Sequence, residues 1–252
     1  MTVAAQAVAI KTESIAISFG GVHAVRGVSM AVPPGERRVI IGPNGAGKTT
    51  FFNLIGGQLR PTAGGVSLFG ADITGMAPWR RARQGLSRTF QISRLFRSLT
   101  VWDNAMLAAA GIRGLETGSF RGADTDRETV ARMIELLDFW GLADSRHEAV
   151  QHIAHGHQRL LEIALAFAGQ PKVVMLDEPT SGLSGGDREI VTKRLAGLPR
   201  DVTILLVDHD MDVVFSLADR ITVLNYGEVI ADDIPDVIRR DPRVHDIYFG
   251  KE

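Results

Sequence analysis

Residues 42–49 read GPNGAGKT, a loop of Gly42, Pro43, Asn44, Gly45, Ala46 and Gly47 followed at once by Lys48 and Thr49. Glycines at 45 and 47 let the backbone curl until successive N–H groups point inward, and a helix starting at the same place adds aligned peptide dipoles that favour phosphate. Lys48 would reach the β- and γ-phosphates of a nucleotide, Thr49 would offer a hydroxyl to Mg²⁺, and Thr50 continues the same first turn. A glycine-rich turn that matches G-x-x-x-x-G-K-[ST] by accident is the alternative. Against it, the apolar strand candidate RVIIG (38–42) precedes the loop and the helix candidate TTFFNLIGGQL (49–59) continues from it, as a phosphate loop requires. A second stretch, KVVMLDEP (172–179), is an apolar run ending in two adjacent carboxylates. Strand alternation sends neighbouring side chains opposite ways, so Asp177 is placed to hold Mg²⁺ through water while Glu178 faces an attacking water as base or orienting group. Asp and Glu before Pro also begin helices, and these residues alone leave both readings open.

Loops with such duties need rigid elements behind them. β-branched runs at 8–19, 38–42, 173–177, 202–209 and 220–231 read as strands. Three are continuously apolar, as expected of strands covered on both faces by helices, so the expectation is an α/β fold with a parallel sheet. From about Arg88 to Phe167 strand signal is weak, and RETVARMIELLDFWGL (127–142) spaces its apolar residues helically. The middle of the chain reads as a helical insertion, with the Gly- and charge-rich stretch 111–126 as a loop within it. The division expected is a nucleotide-binding core of residues 1–87 and 168–252 and a helical insertion of residues 88–167.

Composition narrows the classes. The 252 residues, 45% hydrophobic, are enough for one substantial core or two modest domains. A formal charge of −1 gives no general attraction to nucleic acid or to an acidic membrane. With no cysteine, disulfides and thiolate metal sites are excluded, and the cytosol is the expected compartment. No segment approaches the roughly 20 apolar residues of a spanning helix, so any service to a membrane is performed from outside the bilayer.

With the phosphate loop and the carboxylate strand in place, the chain resembles the ATP-binding subunits of ABC transporters over nearly its whole length. RTFQ (88–91) puts Gln91 where the family has a glutamine that contacts Mg²⁺ and the attacking water. SFGG (18–21) puts Phe19 where an aromatic ring stacks on adenine, with Val25 beside it, and LLVDHD (205–210) puts His209 at the family's switch histidine. The resemblance implies a P-loop NTPase core with an N-terminal antiparallel β subdomain, ATP and Mg²⁺ as ligands, and Glu178, His209 and Gln91 as the catalytic set.

The stretch LSGGD (183–187) looks like the family's LSGGQ signature but follows the carboxylate strand instead of preceding it. The position of the signature is held by Ile153, Ala154, His155, Gly156 and His157, followed by a helix candidate, QRLLEIALA. SGLS (181–184) falls at the family's D-loop, and Ser184 with Asp187 forms a capping-box-like helix start. In the family the signature serine donates to the γ-phosphate held by the opposite subunit. Ala154 has no hydroxyl, which leaves backbone amides and the imidazoles of His155 and His157 as donors. A metal site in the His-rich stretch 147–157 is the competing reading.

Within the family the likeness is to branched-chain amino acid importers, carried by 19–30, 42–57, 88–104 and the Ala-containing signature, with urea, amide and lipopolysaccharide systems sharing much of the pattern. This implies a second ATPase subunit, two multi-span permease subunits, a periplasmic-type solute-binding protein, no nucleic-acid partner, and a place on the cytoplasmic face of the inner membrane. A soluble ABC-type ATPase acting on nucleic acid and a non-hydrolysing nucleotide scaffold are the rival classes.

Overall fold

The computed structural model describes residues 8–89, 95–113 and 126–249. Its centre is a six-stranded sheet of β3 (Arg37–Ile41), β6 (Leu86–Arg88), β7 (Val173–Asp177), β8 (Thr203–Val207), β9 (Arg220–Asn225) and β10 (Glu228–Asp233). The order is β10-β9-β3-β8-β7-β6, parallel throughout except for antiparallel β10 at one edge. Residues of β3, β7 and β8 are buried on both faces, which explains their unbroken apolar sequence. Val39, Ile41, Val174, Leu176, Ile204 and Leu206 enter one core, packed against the helices. Their neighbours Ile40, Val173, Met175, Leu205 and Val207 enter the other.

That second core is closed by an antiparallel sheet of β1 (Ile10–Phe19), β2 (Val22–Val32), β4 (Ala63–Leu68) and β5 (Ala71–Asp72), in the order β2-β1-β4-β5. Between the sheets lies α1 (Lys48–Gly56), which buries Phe51, Phe52, Leu54 and Ile55. The short α2 (Pro78–Arg83) leads into β6. The helical part comprises α3 (Val101–Arg113), α4 (Arg127–Phe139) and α5 (His155–Phe167). Asp126 caps α4 by accepting from the Glu128 amide, and Thr129, Met133 and Leu137, four residues apart, form its buried face. After β7 comes α6 (Gly185–Ala196), after β8 comes α7 (Met211–Leu217), and the chain closes on α8 (Pro235–Ile238) and α9 (Pro242–Phe249).

One sequence expectation changes. The run 220–231 is not a single strand: it breaks at Tyr226 and Gly227, both at positive φ (46° and 81°), into the β9–β10 hairpin. No helix among the described residues is long and apolar enough to cross a membrane.

Candidate nucleotide site

β3, β8 and β7 are neighbours and parallel, so the loops that follow them leave the sheet on one side. Ligands of open α/β sheets bind at this carboxyl edge. From β3 comes the phosphate loop. Gly45 and Gly47 adopt φ of 81° and 97°, and a Cβ on Gly47 would lie 2.4 Å from the Ala24 carbonyl oxygen. Gly47 is the N-cap of α1 and has no side chain to cap it, so the first-turn amides stay available to an anion. Lys48 folds back over the loop, its Nζ donating to the carbonyls of Gly42 (2.6 Å) and Pro43 (3.0 Å). Burial pulls its ammonium below the usual lysine range, opposed by the negative charges of Glu178 and Asp177. Thr49 is exposed in the first turn of α1, Thr50 is beside it, and Ala46 is buried beneath the loop.

At the end of β7 the two carboxylates are separated by a backbone turn as well as by strand alternation. Asp177 is the last strand residue and is 1% exposed. Glu178 has left the strand, with φ at 47° and its amide donating to the Val207 carbonyl at 2.8 Å. Its carboxylate is partly open to solvent and lies 3.7 Å from Nδ1 of His209. Asp208, buried just before His209, shapes this junction: it accepts from Thr180 Oγ1 (2.7 Å) and from the amides of His209 (2.8 Å) and Asp210 (3.0 Å). Asp208 and Thr180 were not among the sequence candidates, because a lone Asp or Thr carries no pattern; only the fold shows them bolting two loops together.

Arg88 was missed for the same reason. From β6 it donates to Asp177 Oδ2 at 3.0 Å, and burial pulls its guanidinium below the ordinary arginine value while Asp177 opposes that. The other oxygen, Asp177 Oδ1, is buried with no hydrogen-bond partner among the described residues. A buried carboxylate oxygen without a donor, on a strand separated only by β8 from the strand that leads into the phosphate loop, fits a hard cation carrying its own water. Gln91 lies outside the described residues.

The signature candidate opens α5. Ala154 is its N-cap and offers no side-chain acceptor, so this helix, like α1, presents uncapped amides, whereas α4, α6 and α7 are capped by Asp126, Ser184 and Asp210. His155 and His157 are exposed and Gly156 is buried. A Cβ on Gly156 would lie 2.5 Å from Asp187 Oδ1, so the LSGGD stretch packs against the signature candidate. Ser184 caps α6 by accepting from the Asp187 amide at 3.3 Å. Arg159 joins α5 to the carboxylate turn, donating to the carbonyls of Glu178 (2.7 Å) and Pro179 (2.9 Å), and His155 shares a cleft with Asp177, Glu178 and Ser181. Among the described residues no three or more histidines and carboxylates gather as they would to hold a metal ion, which leaves the His-rich metal reading without a ligand set.

Phe19, at the end of β1, is 49% exposed and free to stack on a base. Val25, expected beside it, is 1% exposed and packs in the core between the sheets.

A glycine-rich loop at a helix start, a buried carboxylate, a second carboxylate beside a histidine, and an uncapped helix N-terminus sharing the carboxylates' cleft are features of an ATP-binding cassette. Residues 25–181 match the family model for the ABC transporter. LivG of Escherichia coli (strain K12), a high-affinity branched-chain amino acid transport ATP-binding protein, is 37% identical over 253 residues, covering 96% of this chain and 98% of LivG. The ADP conformation of MJ1267, an ATP-binding cassette of an ABC transporter, superposes with a TM-score of 0.84 at 29% identity, covering 98% of this chain and all of that one. A dimeric, post-hydrolysis structure of the cassette MJ0796 bound to ADP and Pi gives 0.74 at 26% identity, with 89% and 98% covered. The chain belongs to the ABC transporter family as an ATP-binding, ATP-hydrolysing cassette.

Proposed function

We propose that this cassette powers an importer of branched-chain, hydrophobic amino acids. The observation that carries the reading is the convergence of Lys48, Asp177, Glu178 and His209 at one sheet edge in a chain aligned nearly end to end with LivG. Phe19 stacks on adenine, and the amides of residues 45–50 with Lys48 bind the phosphates. Thr49 and Asp177, with Gln91, would hold Mg²⁺, which when bound would supply neutralisation of the charge on the transferring phosphoryl group. Glu178 orients or deprotonates the attacking water, and His209 contacts the γ-phosphate while staying within reach of Glu178.

A second ATPase subunit of the same kind supplies the signature turn, Ala154 to His157, to each phosphate loop, so ATP closes the pair and hydrolysis reopens it. Two multi-span permease subunits receive that motion at the cytoplasmic face of the inner membrane, and a periplasmic-type binding protein delivers the amino acid to them. The substrate is tested by coexpressing the chain with the permease and binding-protein genes adjacent to it and measuring ATP-dependent uptake into vesicles. Leucine, isoleucine and valine are the expected cargo; uptake of urea or a short amide with none of the three would reassign the system.

A further inference from the structure

The two oxygens of Asp177 stand in different situations although the residue is almost wholly buried. Oδ2 accepts from Arg88 Nη2 at 3.0 Å, and Oδ1 has no partner among the described residues. Arg88 also reaches the other half of the site. Its Nη1 donates to Asn53 Oδ1 at 2.8 Å, on the helix that issues from the phosphate loop, and to Gln58 Oε1 at 3.0 Å just beyond that helix. The guanidinium carbon lies 5.5 Å from the ring centroid of Phe52, on the same helix. One rigid planar group thus spans β6, β7 and α1, and its side chain is only 9% exposed. Lysine, a point charge on a flexible stem, cannot satisfy this fan of acceptors in one plane.

We propose that Arg88 is a positioning residue for metal–nucleotide binding: by gripping Asp177 Oδ2 and Asn53 together, it keeps Asp177 Oδ1 presented toward the phosphate loop and fixes the spacing between carboxylate and loop. The proposal rests on the reading of Asp177 as the metal-side carboxylate. Two effects of the guanidinium oppose each other. Its positive charge weakens attraction of a cation to Asp177, while its hydrogen bond orients the carboxylate. Orientation prevails because a single contact to one oxygen leaves the other unused, and because partners that orient a metal-side carboxylate typically carry a ten- to hundredfold effect on metal affinity.

The experiment is calorimetric titration of ADP into the purified chain, in Mg²⁺ and separately in EDTA, for wild type, Arg88→Met, Arg88→Lys, Asn53→Ala and Asp177→Ala, with melting curves for each. The expected result is that Arg88→Met loses about tenfold of the affinity that Mg²⁺ adds while binding in EDTA stays within about twofold. Asn53→Ala and Arg88→Lys should lose a smaller part in the same direction. Equal losses with and without Mg²⁺ would make Arg88 a general structural residue and overturn the proposal, as would an undiminished Mg²⁺ gain in Arg88→Met. If Arg88→Met does not fold, Arg88→Lys decides: a wild-type Mg²⁺ gain there means that charge, not the planar grip, is what the site uses, and the proposal fails. Asp177→Ala separates the two layers, since a full Mg²⁺ gain without that carboxylate removes the underlying reading and not merely the role of Arg88.

Discussion

On the proposed mechanism Lys48 and Glu178 serve the same nucleotide and should fail differently. Lys48→Ala removes the side-chain cation assigned to the phosphates, so ATP binding should be lost in equilibrium dialysis. Glu178→Gln keeps the shape and the phosphate contacts but removes the carboxylate 3.7 Å from His209. ATP should still bind, turnover should fall by about a hundredfold or more, and an ATP-held dimer should persist on gel filtration. Turnover at the unaltered rate would take Glu178 out of the mechanism. Two glycines make a comparable pair. Gly47→Ala combines a left-handed backbone, costing about 1–2 kcal/mol, with a clash against backbone. Gly156→Ala meets only the movable carboxylate of Asp187, so its melting point should change far less. Asp187→Ala itself should cost at most about 1 kcal/mol, as the loss of the helix-start contact in which Ser184 Oγ donates to the Asp187 carboxylate, and leave hydrolysis largely intact. Abolished hydrolysis in a folded Asp187→Ala protein would mean that LSGGD, not IAHGH, carries the signature role.

At the scale of elements, the joint between α1 and α2 depends on one side chain. Arg81 is fully buried, and it donates to the carbonyls of Leu54 (3.0 Å), Met76 (2.9 Å) and Thr74 (3.0 Å) as well as Ile55, so it satisfies the C-terminal end of α1 in place of water. Burial lowers its pKa to about 10. Arg81→Met keeps the bulk but removes these donors, leaving the Leu54 carbonyl only its bond from the Gly57 amide, so unfolding in urea should show a loss of about 3 kcal/mol or more with nucleotide contacts untouched. A variant as stable as wild type would show that water reaches those carbonyls. Arg81 also marks what sequence pattern cannot show, since an arginine in the charged run PWRRAR reads as surface. The buried strands β3, β7 and β8 were legible because hydrophobicity on both faces leaves an unbroken apolar run. β2 was not, for it buries only every second or third residue, and β4 begins with an exposed Ala-Gly pair. The phosphate loop and the Asp177–Glu178 pair were legible because their chemistry is local in sequence. Arg88, Arg159 and Asp208 act across strands, and nothing in their own neighbourhoods announces a partner.

For the whole molecule, the decisive question is where the second half of the site comes from. Within one chain, Arg159 ties α5 to the Glu178 turn, and the exposed first turn of α5 faces outward with uncapped amides. Such a turn is suited to phosphate brought by another molecule, and MJ0796 is a cassette seen as a dimer with ADP and Pi. In a head-to-tail pair each site joins Lys48 of one chain to the signature turn of the other, and mixing experiments can read that arrangement. On a Glu178→Gln background, Lys48→Ala chains and Gly156→Trp chains should each fail alone to form a dimer with trapped ATP. The first has no phosphate lysine; the second has a signature turn blocked by bulk. Mixed, they should form a dimer that traps about one ATP in place of two, because the Gly156→Trp chain still supplies an intact phosphate loop and the Lys48→Ala chain an intact signature turn. If both halves of a site belonged to one chain, every chain in the mixture would be defective and no ATP would be trapped. Gel filtration with radiolabelled ATP separates the two arrangements.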